Sequence, residues 1–111
     1  MIYAIEACGL DLVKIGKSNK PKSRLGSFKT SSPVPLRLLA VADWHDTQER
    51  LIHQIFHPWR RSGEWFAAEG PVAEFVTVMM CPEGTPEQIF ESAMGILANT
   101  RDGTWKPYTG L

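Results

Sequence analysis

The chain is 111 residues long, enough for one domain around one core and too short for two. Its 43% hydrophobic content, with four Trp, five Phe and two Tyr, excludes a disordered chain, and no apolar run approaches the roughly 18 residues a membrane span requires. Net charge is zero but unevenly spread: residues 12–42 hold seven cations and no Asp or Glu, whereas residues 64–91 hold six Glu and no Lys or Arg. Such asymmetry fits either one face that attracts phosphates and another turned to solvent or a partner, or the solvated faces of a neutral protein.

Ile2–Glu6 and Leu12–Gly16 are β-branched or aromatic-rich runs around the turn-forming Cys8-Gly9-Leu10-Asp11, and they are expected to pair as a hairpin. Met1 leads directly into the first strand with no basic segment before it, so the chain is expected to be soluble, cytoplasmic and unexported. Alternation places Val13 and Ile15 on one face of the second strand and Leu12, Lys14 and Gly16 on the other. Ser18 or Asn19 is expected to cap a helix running to about Thr30, with Pro21 in its first turn and Ser31-Ser32-Pro33 as its stop. Leu36, Leu38, Leu39 and Val41 make a nearly continuous apolar run, which predicts a central third strand over 35–42. Asp46 or Thr47 starts a second helix, expected to reach His57 before Pro58. Gly63-Glu64-Trp65-Phe66 reads as a short extended segment, and an apolar helix is expected from Pro71 to about Met80.

Thr85 and Gln88 form a capping box with Pro86 at the first helical position, which predicts a last helix with Ile89, Phe90, Ala93, Met94 and Leu97 on one face. That face either closes the domain's own core, the expected outcome, or meets a second copy or a specificity partner. One domain is expected over residues 1–98, followed by an irregular tail over 99–111. The two cysteines, Cys8 and Cys81, match no metal-ligand spacing and are too few for a disulfide framework, so they are expected to be idle thiols.

Several positions resemble one known pattern. Ile2-Tyr3, an 11-residue step to Lys14-Ile15-Gly16-Lys17, and Arg24 seven residues later are similar to the GIY-YIG nuclease signature. Glu49, His53, Phe56, Arg60 and Gly63-Glu64-Trp65-Phe66 resemble one branch of that superfamily, the phage and meiotically-up-regulated type, which carries KIG in place of YIG. The resemblance spans residues 2–78 and implies an α+β fold, a small three-stranded antiparallel sheet flanked by helices, with the C-terminal helix added to it. It also implies a divalent metal, Mg²⁺ or Mn²⁺, and hydrolysis of a phosphodiester bond in DNA, or in RNA, whose backbone carries the same phosphate.

The chemistry of the matched residues agrees with that expectation. Phosphodiester cleavage requires a positioned water, neutralised phosphate charge and relief of charge on the leaving oxygen. Tyr3 is the candidate to position or deprotonate the water, although a phenol of ordinary pKa near 10 needs help from a metal or nearby cations. Arg24 suits bidentate phosphate binding, Lys17 adds a point charge beside a helix N-terminus, and Glu49 is the candidate metal ligand. His53 is expected to support Glu49 or the phosphate, and Glu64 is a candidate second acid. Lys20, Lys22, Lys29, Arg60 and Arg61 are candidate backbone contacts.

Each residue also has a plainer role: Tyr3 as a core-edge aromatic, Arg24 and Glu49 as a structural ion pair, Trp65 and Phe66 as core. His45, Glu49, His53 and His57 recur at four-residue intervals, and such E-x₃-H-x₃-H spacing can bind zinc or another transition metal, but His45 is expected before the helix and His57 at its fraying end beside Pro58. Two positions depart from the superfamily: Lys14 stands where a second motif tyrosine is expected, and Phe28 where many relatives carry Tyr or His. The alternative to an endonuclease is therefore a catalytically inactive nucleic-acid-binding or protein-interaction module on the same fold.

Overall fold

The computed structural model describes residues 1–101 and 104–105. An interior strand of its sheet is β1 (Ile2–Ala7), whose first four residues are buried on both faces because Ile2, Tyr3, Ala4 and Ile5 leave no polar side for water. The turn after it includes Gly9 and Asp11, both at positive φ, and returns the chain as β2 (Leu12–Lys17), antiparallel to β1 with Tyr3 opposite Gly16 and Ile5 opposite Lys14. Helix α1 (Pro21–Ser31) follows, then β3 (Leu36–Ala42), α2 (Thr47–Ile55), β4 (Arg60–Ser62), β5 (Trp65–Ala67), α3 (Gly70–Met79) and α4 (Pro86–Ala98).

The architecture is α+β, with a five-stranded antiparallel sheet in the order β3-β1-β2-β5-β4 rather than the three strands expected. The two extra strands arise because Gly63, at φ 55°, lets the chain reverse between β4 and β5, so that Trp65 and Phe66 pair with Lys14 and Val13. The third strand is not central but lies at the sheet edge, with Val41 exposed and Arg37 outside. Its apolar run is broken by a register shift opposite Ala4 and Ile5, where Leu39 is the extra residue between the partners Leu38 and Ala40. The expected alternation in β2 holds. Val13 and Ile15 join Ile2, Ala4 and Phe66 beneath α2, α3 and α4, while Tyr3, Ile5 and Leu36 face α1 through Leu25 and Phe28.

Helix boundaries differ from expectation in two places. The N-cap of α1 is Lys20, with no side-chain cap, while Ser18 Oγ instead accepts the Lys20 amide at 3.0 Å. Helix α2 ends at Ile55, and His57–Trp59 turns as a 3-10 segment around Pro58, so His57 leaves the row that His53 occupies. At α4 the capping box forms in both directions: Thr85 Oγ1 accepts from the Gln88 amide at 3.2 Å, and Gln88 Oε1 from the Thr85 amide at 3.0 Å. Ala93, Ile96 and Leu97 of α4 are buried against the core, and Phe90 meets Trp44 edge to face at 5.8 Å. Within the stretch expected to be irregular, Thr100–Arg101 pairs with Thr104–Trp105, and residues 102–103 and 106–111 lie outside the described residues. Among the described residues no helix is long and apolar enough to cross a membrane.

Candidate active site

The end of β2 organises the site. Tyr3 is 1% exposed, its ring packed under α1, yet its hydroxyl reaches across to the opposite strand and lies over Gly16. A Cβ at residue 16 would stand 2.7 Å from Tyr3 Cζ, in collision with Tyr3 Oη, and 2.8 Å from Glu64 Oε2. Only glycine leaves room for a phenol and a carboxylate to meet there. Glu64 arrives from the β4–β5 turn, where its carbonyl accepts the Ile15 amide at 3.1 Å and fixes the turn against β2.

The phenol senses the other members of the site. Its pKa is raised above the ordinary 10.0, first by burial and then by the negative charge of Glu64, with a further push from Glu49. Arg24, from the first turn of α1, opposes this with a hydrogen bond to the phenol and its positive charge. Tyr3, Arg24, Glu49 and Glu64, separated by up to sixty residues of chain, are thus electrostatic neighbours. Arg24 and Glu49 do not form the structural ion pair that the sequence left open.

The two departures from the superfamily pattern touch one another. Lys14 Nζ lies 3.5 Å from Glu64 Oε2 and is held over the rings of Phe28, at 4.6 Å, and Trp65, at 5.5 Å. The Arg24 guanidinium lies over the same Phe28 ring at 5.1 Å. Phe28 is therefore a platform that orients two cations rather than simply a lost polar contact. Sequence reasoning gave Glu64 too little weight, although its place in the Gly63-Glu64-Trp65-Phe66 motif was the available signal.

On the α2 side, Lys17, Glu49, His53 and Arg60 line an open cleft of about 680 Å³. His53 Nε2 lies 2.6 Å from the Ile15 carbonyl oxygen, which can only accept, so this nitrogen carries a proton and donates. Its edge-to-face contact with Phe66 at 5.0 Å holds the ring plane. Arg60 is tied down by donation from Nε to the Gly63 carbonyl at 2.7 Å. The other basic candidates do not share the cleft. Lys20 and Lys22 lie beside Met1, Pro21 and Val41 near the sheet edge, Lys29 occupies the last turn of α1, and Arg61 pairs with Glu69 at 3.6 Å.

Among the described residues no three His, Cys, Asp or Glu side chains gather to hold a metal, which removes the zinc quartet. His45 Nδ1 instead accepts the Thr47 amide at 3.2 Å ahead of α2. A hard cation with a different demand does fit. Mg²⁺ keeps several waters and takes one carboxylate, and Glu49 is a half-buried carboxylate without a salt bridge in an open cleft.

Searches against curated proteins and against solved structures find no match. A family model does match, over residues 1–81, and its span takes in β1 through α3 and every side chain of the site just described. That model is the T5orf172 domain, a family associated with phage endonuclease-type domains, and this chain belongs to it.

Proposed function

We propose that the domain is a metal-dependent endonuclease that hydrolyses phosphodiester bonds in DNA. The observation that carries this reading is the meeting of the Tyr3 phenol and the Glu64 carboxylate over Gly16, with Arg24 and Glu49 acting on the same phenol, next to a cleft with basic residues on its walls. A buried phenol with a raised pKa between two acids is a poor structural choice, and it becomes useful once a cation and a phosphate enter.

Arg24 and Lys17 hold the non-bridging oxygens of the scissile phosphate, Arg24 in a two-pronged fashion for which its fork is shaped. Phe28 keeps the guanidinium in place from below. Tyr3 Oη orients the attacking water and relays its proton, giving the phenolic proton to the Glu64 carboxylate as it takes up the water's. Lys14 restrains Glu64 through their salt bridge and lowers the cost of its charge beside the phenol. His53 acts as a positioning residue, since its bond to the Ile15 carbonyl ties α2, and with it Glu49, to β2. Glu49 would hold one Mg²⁺ or Mn²⁺, which supplies charge neutralisation at the phosphate and lowers the pKa of groups nearby.

The test is nicking of supercoiled plasmid with Mg²⁺ or Mn²⁺ against a chelator control, by wild type and Glu49→Ala, beside filter binding at two salt concentrations. Metal-dependent nicking lost in Glu49→Ala is the expected result. Salt-dependent DNA binding without nicking under any metal would leave a binding module in place of an enzyme.

A further inference from the structure

On the α1 face of the sheet, a second cavity of about 360 Å³ opens beside the proposed catalytic centre. Its walls are Leu12, Phe28, Val34 and Trp65, with Leu10, 52% exposed, at the mouth, and its volume lies in the range of about 300–1,000 Å³ common to small-ligand sites. No acidic residue lines it, while Arg61 stands at its edge and Lys14 at its inner end. Lys14 belongs to both places, because its ammonium also reaches Glu64. Two residues of strand separate Lys14 from Gly16, about 7 Å at 3.3–3.4 Å per residue, which is the reach from a phosphate to a base of the same or the adjoining nucleotide.

We propose that this cavity receives one unstacked nucleobase next to the scissile phosphate, so that the preferred substrate is single-stranded, flapped or mismatched at the cut. The inference rests on the nuclease reading and adds a substrate class to it. A flat aromatic occupant fits an apolar slot with an indole and a phenyl ring in its walls, and the polyanionic strand attached to that base fits the cations at both ends. Lys14 has three N–H groups and its salt bridge engages one, so a donor is available to a base carbonyl. Phe28 in place of Tyr or His makes this wall apolar. In intact duplex the base must first leave its stack at a cost of a few kcal/mol, whereas an unpaired base enters without that penalty.

The test uses full-length protein in chelator, where no cleavage occurs, and reads fluorescence anisotropy with two labelled strands of equal length, one natural and one fully abasic. Both carry the same phosphates, so only base contacts separate them. Wild type is expected to bind the natural strand about tenfold more tightly, and the ratio should fall toward parity in Val34→Trp, which fills the cavity. Leu10→Ala, at an exposed turn, should lower the ratio in the same direction and covers the event that Val34→Trp does not fold. Equal affinity for the two strands in wild type overturns the proposal, as does a preference that neither variant alters. Plasmid nicking in Mg²⁺, run in parallel, separates the two failures: nicking with equal affinities removes the base site and keeps the nuclease, whereas absence of both nicking and strand binding removes both.

Discussion

Tyr3 shows how one side chain serves two purposes, its ring filling the space under α1 while its hydroxyl faces Glu64 and Arg24 over Gly16. Since its pKa is raised above 10.0, the contribution of the neutral phenol to folding is fully present below pH 10 and is lost as pH rises through the higher folded value. Glu64→Gln removes the larger of the two charge effects, so the phenol should titrate lower in that variant, and lower than in Glu49→Gln. Ultraviolet difference titration against Tyr3→Phe isolates this phenol from that of Tyr108. Gly16→Ala should lose nicking and about 1–3 kcal/mol of stability, read by urea unfolding, because a buried ring cannot withdraw from the new methyl. At this scale the sequence was informative about residue types, and the family resemblance singled out Tyr3, Arg24 and Glu49, of which Arg24 and Glu49 act on the Tyr3 phenol. The contact of Lys14 with Phe28 was not, because a helix and a strand meet there through tertiary packing that neither pattern contains.

Elements were legible where local chemistry decides them. The capping box of α4 was written in Thr85, Pro86 and Gln88, and Thr85→Ala should cost about 1 kcal/mol in a denaturant melt. Phe75 of α3, fully buried between Trp44 and Phe56, should cost about 3–5 kcal/mol when cut to Ala, by the same measurement. Strand order was harder to read. The apolar run of β3 resembled a central strand, yet β3 lies at the edge beside β1, whose own residues are apolar on both sides, and a register shift absorbed Leu39. Likewise β4, a three-residue strand of Arg60, Arg61 and Ser62, has no hydrophobic pattern to reveal it and exists because Gly63 turns the chain back.

For the whole molecule, zero net charge conceals an uneven distribution, with Lys17 and Arg60 on the cleft and Glu87 and Glu91 of α4 lining a separate pocket with Trp44 and His45. DNA affinity should accordingly fall linearly on a log–log plot against salt, with a modest slope, because only a few of the cations share one surface; anisotropy across a salt series checks this. The five-stranded sheet brings Tyr3 and Glu64 together over Gly16, Arg24 of α1 and Glu49 of α2 act on the same phenol, and the account depends on these four residues acting as one unit. The most direct measurement is the Mg²⁺-dependent nicking rate of wild type, Tyr3→Phe, Glu49→Ala and the double variant. Each single change should cost about 10²–10⁴-fold, and the double should be no slower than the worse single, as expected of groups in a shared machine. Singles that nick like wild type, or losses that multiply in the double variant, would contradict it.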